Sequence, residues 1–74
     1  MEFDFSKLRG RIVEKYGTCN AFSAASGFSA SGLSDRLNNK TPWDTREIHR
    51  IVQPDCLDIA AEDIPSYFFA PKVR

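Results

Sequence analysis

Histidine, cysteine and long apolar runs are all scarce in this sequence, and each scarcity excludes something. The single histidine, His49, and the two cysteines, Cys19 and Cys56, fall short of the four ligands a structural zinc site wants, and the cysteines are far apart with no CxxC pair. No metal and no cofactor are expected. Disulfides belong to oxidising compartments, so the two cysteines read as free thiols. His49 has no serine and aspartate partners near it in sequence, Gly10 and Gly17 stand alone, and no GxxxxGK phosphate loop occurs. Enzymatic chemistry is therefore not expected. No stretch approaches the roughly 20 apolar residues of a membrane helix. The start, Met1-Glu2-Phe3-Asp4, is acidic without an apolar signal region. The expectation is a cytoplasmic protein with no membrane partner.

Net charge is also absent, because ten Lys and Arg balance ten Asp and Glu. The distribution is less even than the sum. Residues 6–40 hold Lys7, Arg9, Arg11, Lys15, Arg36 and Lys40 against Glu14 and Asp35, whereas residues 55–63 hold Asp55, Asp58, Glu62 and Asp63 and no base. One basic end suits a small protein that presents a single face to phosphate, although an ordinary mixed surface reads the same way. The 74 residues are enough for one domain, 1–74. A core this small is marginal alone, so a second subunit would help.

The periodicity is helical throughout. Leu8, Ile12 and Tyr16 make an apolar stripe over 6–16 with Asp4 or Ser6 as cap, beside a basic stripe of Lys7, Arg11 and Lys15. Gly17 ends this helix, and Thr18 caps a second that runs to about Ser26 and buries Phe22 and Ala25. After Gly27, Ser29 caps a third helix over about 29–38 with Leu33 and Leu37 one turn apart, closed by Asn38-Asn39-Lys40. Gly32 lies inside it and should cost about 1 kcal/mol against alanine. Asp44 and Glu47 form a capping box for a fourth helix that turns Ile48, Ile51 and Val52 inward, with Trp43 before it as a hydrophobic staple. One more short helical segment, interrupted by Pro65, is expected between Asp58 and Tyr67. Tyr67, Phe68 and Phe69 then close the core or meet a second copy, and a short strand over 67–73 is an alternative for the tail.

From Thr18 to Asn39 the layout is that of a helix-turn-helix. Two short helices flank a tight turn at Gly27, with apolar residues on the facing sides. With these features, "KLRGRIVEKYGT", "GFSASGLSDRLNNK" and "SYFFAPKV" resemble the small Cro-like and repressor-like regulators of phages and prophages, over about Phe5 to Val73. The resemblance implies an all-α, four- to five-helix lambda-repressor-like domain with its helix-turn-helix at about 18–38. It also implies binding of a double-stranded operator, repression by occupancy, and a homodimer.

Carried over by position, Ser29, Ala30, Ser31, Ser34, Asp35 and Asn38 would meet base edges. Lys7, Arg11, Thr18, Cys19, Arg36 and Lys40 would lie on phosphates. A dimerisation tail over 64–74 would use Tyr67, Phe68 and Phe69. The sequence departs from the family pattern at Cys19, often glutamine, at Ser26, usually a large apolar residue, and at Ser23, commonly alanine. A second reading follows from these departures and the neutral charge. It is a protein-binding module on the same fold, such as a phage-encoded inhibitor or antirepressor.

Overall fold

In the computed structural model, which describes residues 2–72, five α-helices surround one core: α1 (Ser6–Tyr16), α2 (Cys19–Ser26), α3 (Ala30–Leu37), α4 (Thr45–Ile51) and α5 (Ile64–Phe68). A 3₁₀ turn at Ala61–Asp63 leads into α5. No β-strand forms among the described residues, and the fold is all-α. None of the helices is long and apolar enough to cross a membrane.

Local chemistry sets the helix ends. The Asp4 carboxylate accepts from the Ser6 backbone N–H at 2.9 Å and from its hydroxyl at 2.6 Å, and these bonds hold Asp4 below its ordinary carboxylate range. Gly17 and Gly27 follow α1 and α2 with φ of 84° and 86°, a region that side chains with a Cβ disfavour. Thr18 and Ser29 each accept a backbone N–H three residues on, at 3.0 Å. At α4 the capping box forms in full. Asp44 accepts from the Arg46 N–H at 2.7 Å, while the Asp44 N–H donates to Glu47 at 3.0 Å. Pro65 stands in the first turn of α5. Rather than interrupting a helix it helps start one, because the first turn needs no N–H from it.

Leu8 and Ile12 of α1, Phe22 of α2, Leu33 and Leu37 of α3, and Ile48 and Ile51 of α4 meet in the core with Phe5, Leu57, Ile59 and Phe68. Ala25, expected inside, is exposed. Ser23 is buried instead, and its hydroxyl donates to the Asn20 carbonyl at 2.8 Å. A helix of eight residues has one narrow inward face, and Phe22 fills most of it. Trp43 reaches beyond the helix it precedes. Its ring lies edge-on to Phe28 at 5.8 Å and Phe68 at 5.3 Å, and meets Phe5 at 6.5 Å. It thereby ties the start of α4 to the α2–α3 turn and to α5.

The two ends of the chain meet. Phe3 and Pro71 form an isolated antiparallel bridge, with the Asp4 N–H bonded to the Ala70 carbonyl at 2.8 Å. Asn39, at φ 64°, substitutes for a neighbouring strand. Its side-chain amide accepts from the Phe3 N–H at 2.9 Å and donates to the Phe3 carbonyl at 3.0 Å. The strand expected over 67–73 is thus a single bridge. Residues 73 and 74 of the expected tail lie outside the described residues.

Candidate functional site

The candidate site is the surface built by α2, the turn Gly27-Phe28-Ser29, and α3. The turn geometry follows from its residues: Gly27 reverses the chain, Phe28 drops toward Phe22 with ring centroids 6.4 Å apart, and Ser29 starts α3. Leu33 and Leu37 hold α3 on the core, so the opposite side of that helix is outward. Ser29, Ala30, Ser31 and Ser34 are exposed there. That outward surface is small, neutral and hydroxyl-bearing.

One of the six expected base-contacting residues, Asn38, has its side chain engaged by another helix. Asn38 accepts from the Arg9 guanidinium at 3.0 Å and donates to Ser34 at 3.2 Å, which ties it to α1. Asp35 is half-buried, and its backbone carbonyl accepts from the Lys40 and Thr41 N–H groups at 2.8 and 3.3 Å.

The residues expected on phosphates are scattered and mostly occupied. Arg36 lies along α3, with Nε and Nη2 donating to the two oxygens of Glu47 at 3.0 and 2.7 Å and Nη1 to the Gly32 carbonyl at 2.9 Å. Its guanidinium also sits over the Phe28 ring at 5.0 Å. The Arg36 bonds, with the bond from the Asp44 N–H, hold the Glu47 carboxyl below its ordinary range against the opposing effect of burial. Arg11 points toward the far end of the fold. It donates to the Leu57 and Asp58 carbonyls at 2.8 and 2.9 Å and pairs with Glu14 at 2.7 Å. Lys7 rests over the Tyr67 ring at 4.6 Å and donates to Ser66 at 3.1 Å. Thr18 is the α2 cap, Cys19 is half-buried against the core, and Lys40 is exposed. The basic stripe on α1 is therefore not a continuous free face. Two of its three members bind other parts of the chain.

The aromatic tail divides likewise. Phe68 is 1% exposed and belongs to the core, so it has no surface for the expected dimer contact. Tyr67 is half-buried beneath Lys7. Phe69 is 48% exposed, its ring edge-on to Phe3 at 5.8 Å. The other tyrosine, Tyr16, donates to the Cys56 sulfur at 3.4 Å, and this bond, helped by burial, pushes its pKa up to about 12. No group of three or more His, Cys, Asp or Glu gathers for a metal ion among the described residues.

Three features of this surface had no expectation: the Arg36–Glu47 pair, the Asn39 clasp on Phe3, and the approach of Arg50 to the Phe28 ring at 5.2 Å. Each joins residues distant in sequence, so no local spacing could announce it.

Among curated proteins none matches this chain. Among solved structures, the fold is similar to the solution structure of the modulator of repression (MOR) of the temperate bacteriophage TP901-1 from Lactococcus lactis. The sequences are 42% identical, the match covers 100% of this chain and 97% of that one, and the TM-score is 0.80. At residues 1–71 the sequence matches a family model described as protein of unknown function (DUF739), and the chain belongs to that family.

Proposed function

We propose that this chain is a phage-type regulator, not an enzyme, that acts by engaging another protein of the repression circuit through a helix-turn-helix-like surface. The observation that carries this reading is the clasp of Arg36 by Glu47. It takes from α3 the one guanidinium that would flank a DNA groove and leaves a neutral, Ser-rich surface. Duplex affinity comes largely from cations that replace counterions on phosphate. Here Arg11, Arg36 and Lys7 already have intramolecular partners. The similar phage protein is itself named a modulator of repression, which fits a role exerted on a repressor. A cytoplasmic site of action follows from this role.

Direct operator binding by a dimer is the second reading. The exposure of Ala30, Ser31 and Ser34 on the outward side of α3, behind a three-residue turn, favours it. In that case Ser31→Ala and Asn38→Ala change sequence preference, Lys40→Ala weakens all duplexes alike, and Tyr67 and Phe69 meet in the dimer.

One experiment separates the two. The purified chain is offered a random duplex library at about 100 mM salt, and in parallel a repressor from the same phage or prophage. The protein-binding reading expects a stable complex with the repressor and no enriched duplex. An enriched inverted repeat bound by the chain alone, with affinity falling by orders of magnitude between about 50 and 200 mM salt, overturns it in favour of the operator reading.

A further inference from the structure

The outward side of α4 carries two guanidiniums, those of Arg46 and Arg50. Arg46, His49 and Arg50 are all exposed, and none makes an ion pair among the described residues. The one carboxylate within the helix, Glu47, is bonded to Arg36 and lies near enough to Arg50 to feel its charge without pairing with it, and the capping Asp44 accepts from the Arg46 backbone N–H. Arg46 and Arg50 are four residues apart, so they leave the same face at roughly 6 Å.

Arg50 is also ordered by its surroundings. Its guanidinium lies 5.2 Å from the centroid of Phe28, which limits the conformational freedom a partner would have to remove. Beside it is a groove of about 220 Å³ lined by Arg50 with Tyr16, Ala25, Ser26, Ile51, Cys56 and Asp55. The walls are mixed, with Tyr16, Ala25 and Ile51 beside Ser26, Cys56 and Asp55; Asp55 repels any anion brought close, so the groove suits an uncharged side chain and an anionic group belongs at Arg46 and Arg50.

We propose that this face binds an acidic, partly apolar segment of a protein partner. Two carboxylates one helical turn apart on that segment meet Arg46 and Arg50, and an apolar side chain enters the groove beside Ala25. The proposal rests on the protein-binding reading above, extends its surface from the turn at Phe28 onto α4 through Arg50, and adds the chemistry of the partner. Charge complementarity selects the segment. Two unpaired guanidiniums at helical spacing match two carboxylates at the same spacing, and each guanidinium can hold a carboxylate through two parallel bonds. A duplex would match the guanidiniums but not the groove.

The test uses the full chain, isotopically labelled for NMR. The probe is a synthetic helical peptide with two glutamates four residues apart and leucines on the adjoining face. The control peptide carries glutamines at the two positions, and a 20-base-pair duplex is titrated separately. Expected are amide shifts at Ala25, Phe28, Arg46 and Arg50, and at least tenfold weaker binding of the glutamine peptide. Charge reversal in Arg46→Glu/Arg50→Glu should abolish binding, and a lysine version of the peptide should restore it on that variant. Equal binding of both peptides, shifts centred elsewhere, or failure of the lysine rescue on a variant that still melts cooperatively removes the proposal. Shifts produced at these residues by the duplex alone assign the face to phosphate and remove it as well. Should the charge-reversed chain still capture the repressor at full strength, the protein-binding reading stands and this surface is wrong. If the unaltered chain captures no repressor, the reading itself fails.

Discussion

The guanidinium of Arg36 and the carboxylate of Glu47 face each other through two parallel bonds, and each side chain is about one-fifth exposed, 19% and 20%. The pair joins α3 to α4 at the point where Glu47 also receives the Asp44 N–H. Removing Arg36 leaves a half-buried carboxylate with one partner fewer. Arg36→Ala should therefore cost about 2–3 kcal/mol in a urea titration, within the range for hydrogen bonds to charged groups. Arg36→Lys should recover only part of this, because an ammonium cannot form the fork. A neutral Arg36→Ala would show that the clasp does not hold α3, and the guanidinium would then be free for a ligand.

The same pair makes stability depend on acid. Glu47 is held below its ordinary value of 4.5, first by its bonds to Arg36. A carboxylate with a lowered folded-state pKa stabilises the fold above its unfolded value, and loses that contribution as pH falls through the folded one. Stability should thus be level from neutral pH down to about 4.5 and fall below it. In Glu47→Gln the fold should be weaker at neutral pH and the acid slope shallower. Melting temperatures at pH 7, 5, 4 and 3 check this, and an unchanged slope would place the acid-sensitive group elsewhere, with Asp4 the next to examine.

Asn39 does two things that no other side chain does together. It accepts a left-handed backbone, and its amide supplies both a donor and an acceptor to the Phe3 peptide. Asn39→Gly keeps the backbone but loses both bonds, and should cost about 1–2 kcal/mol, or roughly 1 kcal/mol for each bond. Asn39→Asp keeps the acceptor and loses the donor, so it should lie between glycine and the native residue. Faster hydrogen exchange of the Phe3 amide in the glycine variant, with protection retained in the aspartate variant, is the specific sign. Equal protection in all three would mean that the bridge to Pro71 holds the N-terminal segment unaided.

Much of this fold is legible because it is local. Thr18, Ser29 and Asp44 mark helix starts by hydrogen bonds that reach two or three residues, and Gly17 and Gly27 mark ends by a conformation of their own backbone. The site is less legible because its state depends on distant partners. Nothing around Arg36 in sequence says that Glu47 holds it, since Glu47 already has a sufficient local role in the capping box. Nothing in Tyr67-Phe68-Phe69 says that the middle ring alone turns inward, because that depends on where Trp43 lies. Charge counted along the chain gave a basic end, yet Arg11 is carried to the Leu57 and Asp58 carbonyls and Lys7 to the Tyr67 ring.

Gly32 offers a sharp test, because helix propensity and the structure disagree about it. Propensity alone predicts that Gly32→Ala stabilises α3 by about 1 kcal/mol. A Cβ at this position would come 2.8 Å from the Ser29 hydroxyl and 3.3 Å from the Arg36 Nη1. That hydroxyl is the α3 cap, accepting the Gly32 N–H at 3.0 Å. The methyl group displaces the cap, whose loss costs about 1 kcal/mol, so the two effects should cancel and Gly32→Ala should leave the melting temperature unchanged or lower. Ser29→Ala alone should destabilise by about 1 kcal/mol. In that background no hydroxyl opposes the new methyl group and only the Arg36 Nη1 must give slightly, so adding Gly32→Ala should then give most of the propensity gain. The four proteins form a double-mutant cycle with an expected coupling of about 1 kcal/mol. Simple additivity would mean that the cap adjusts around the methyl group, and that glycine is kept at the outward side of α3 for what approaches it there.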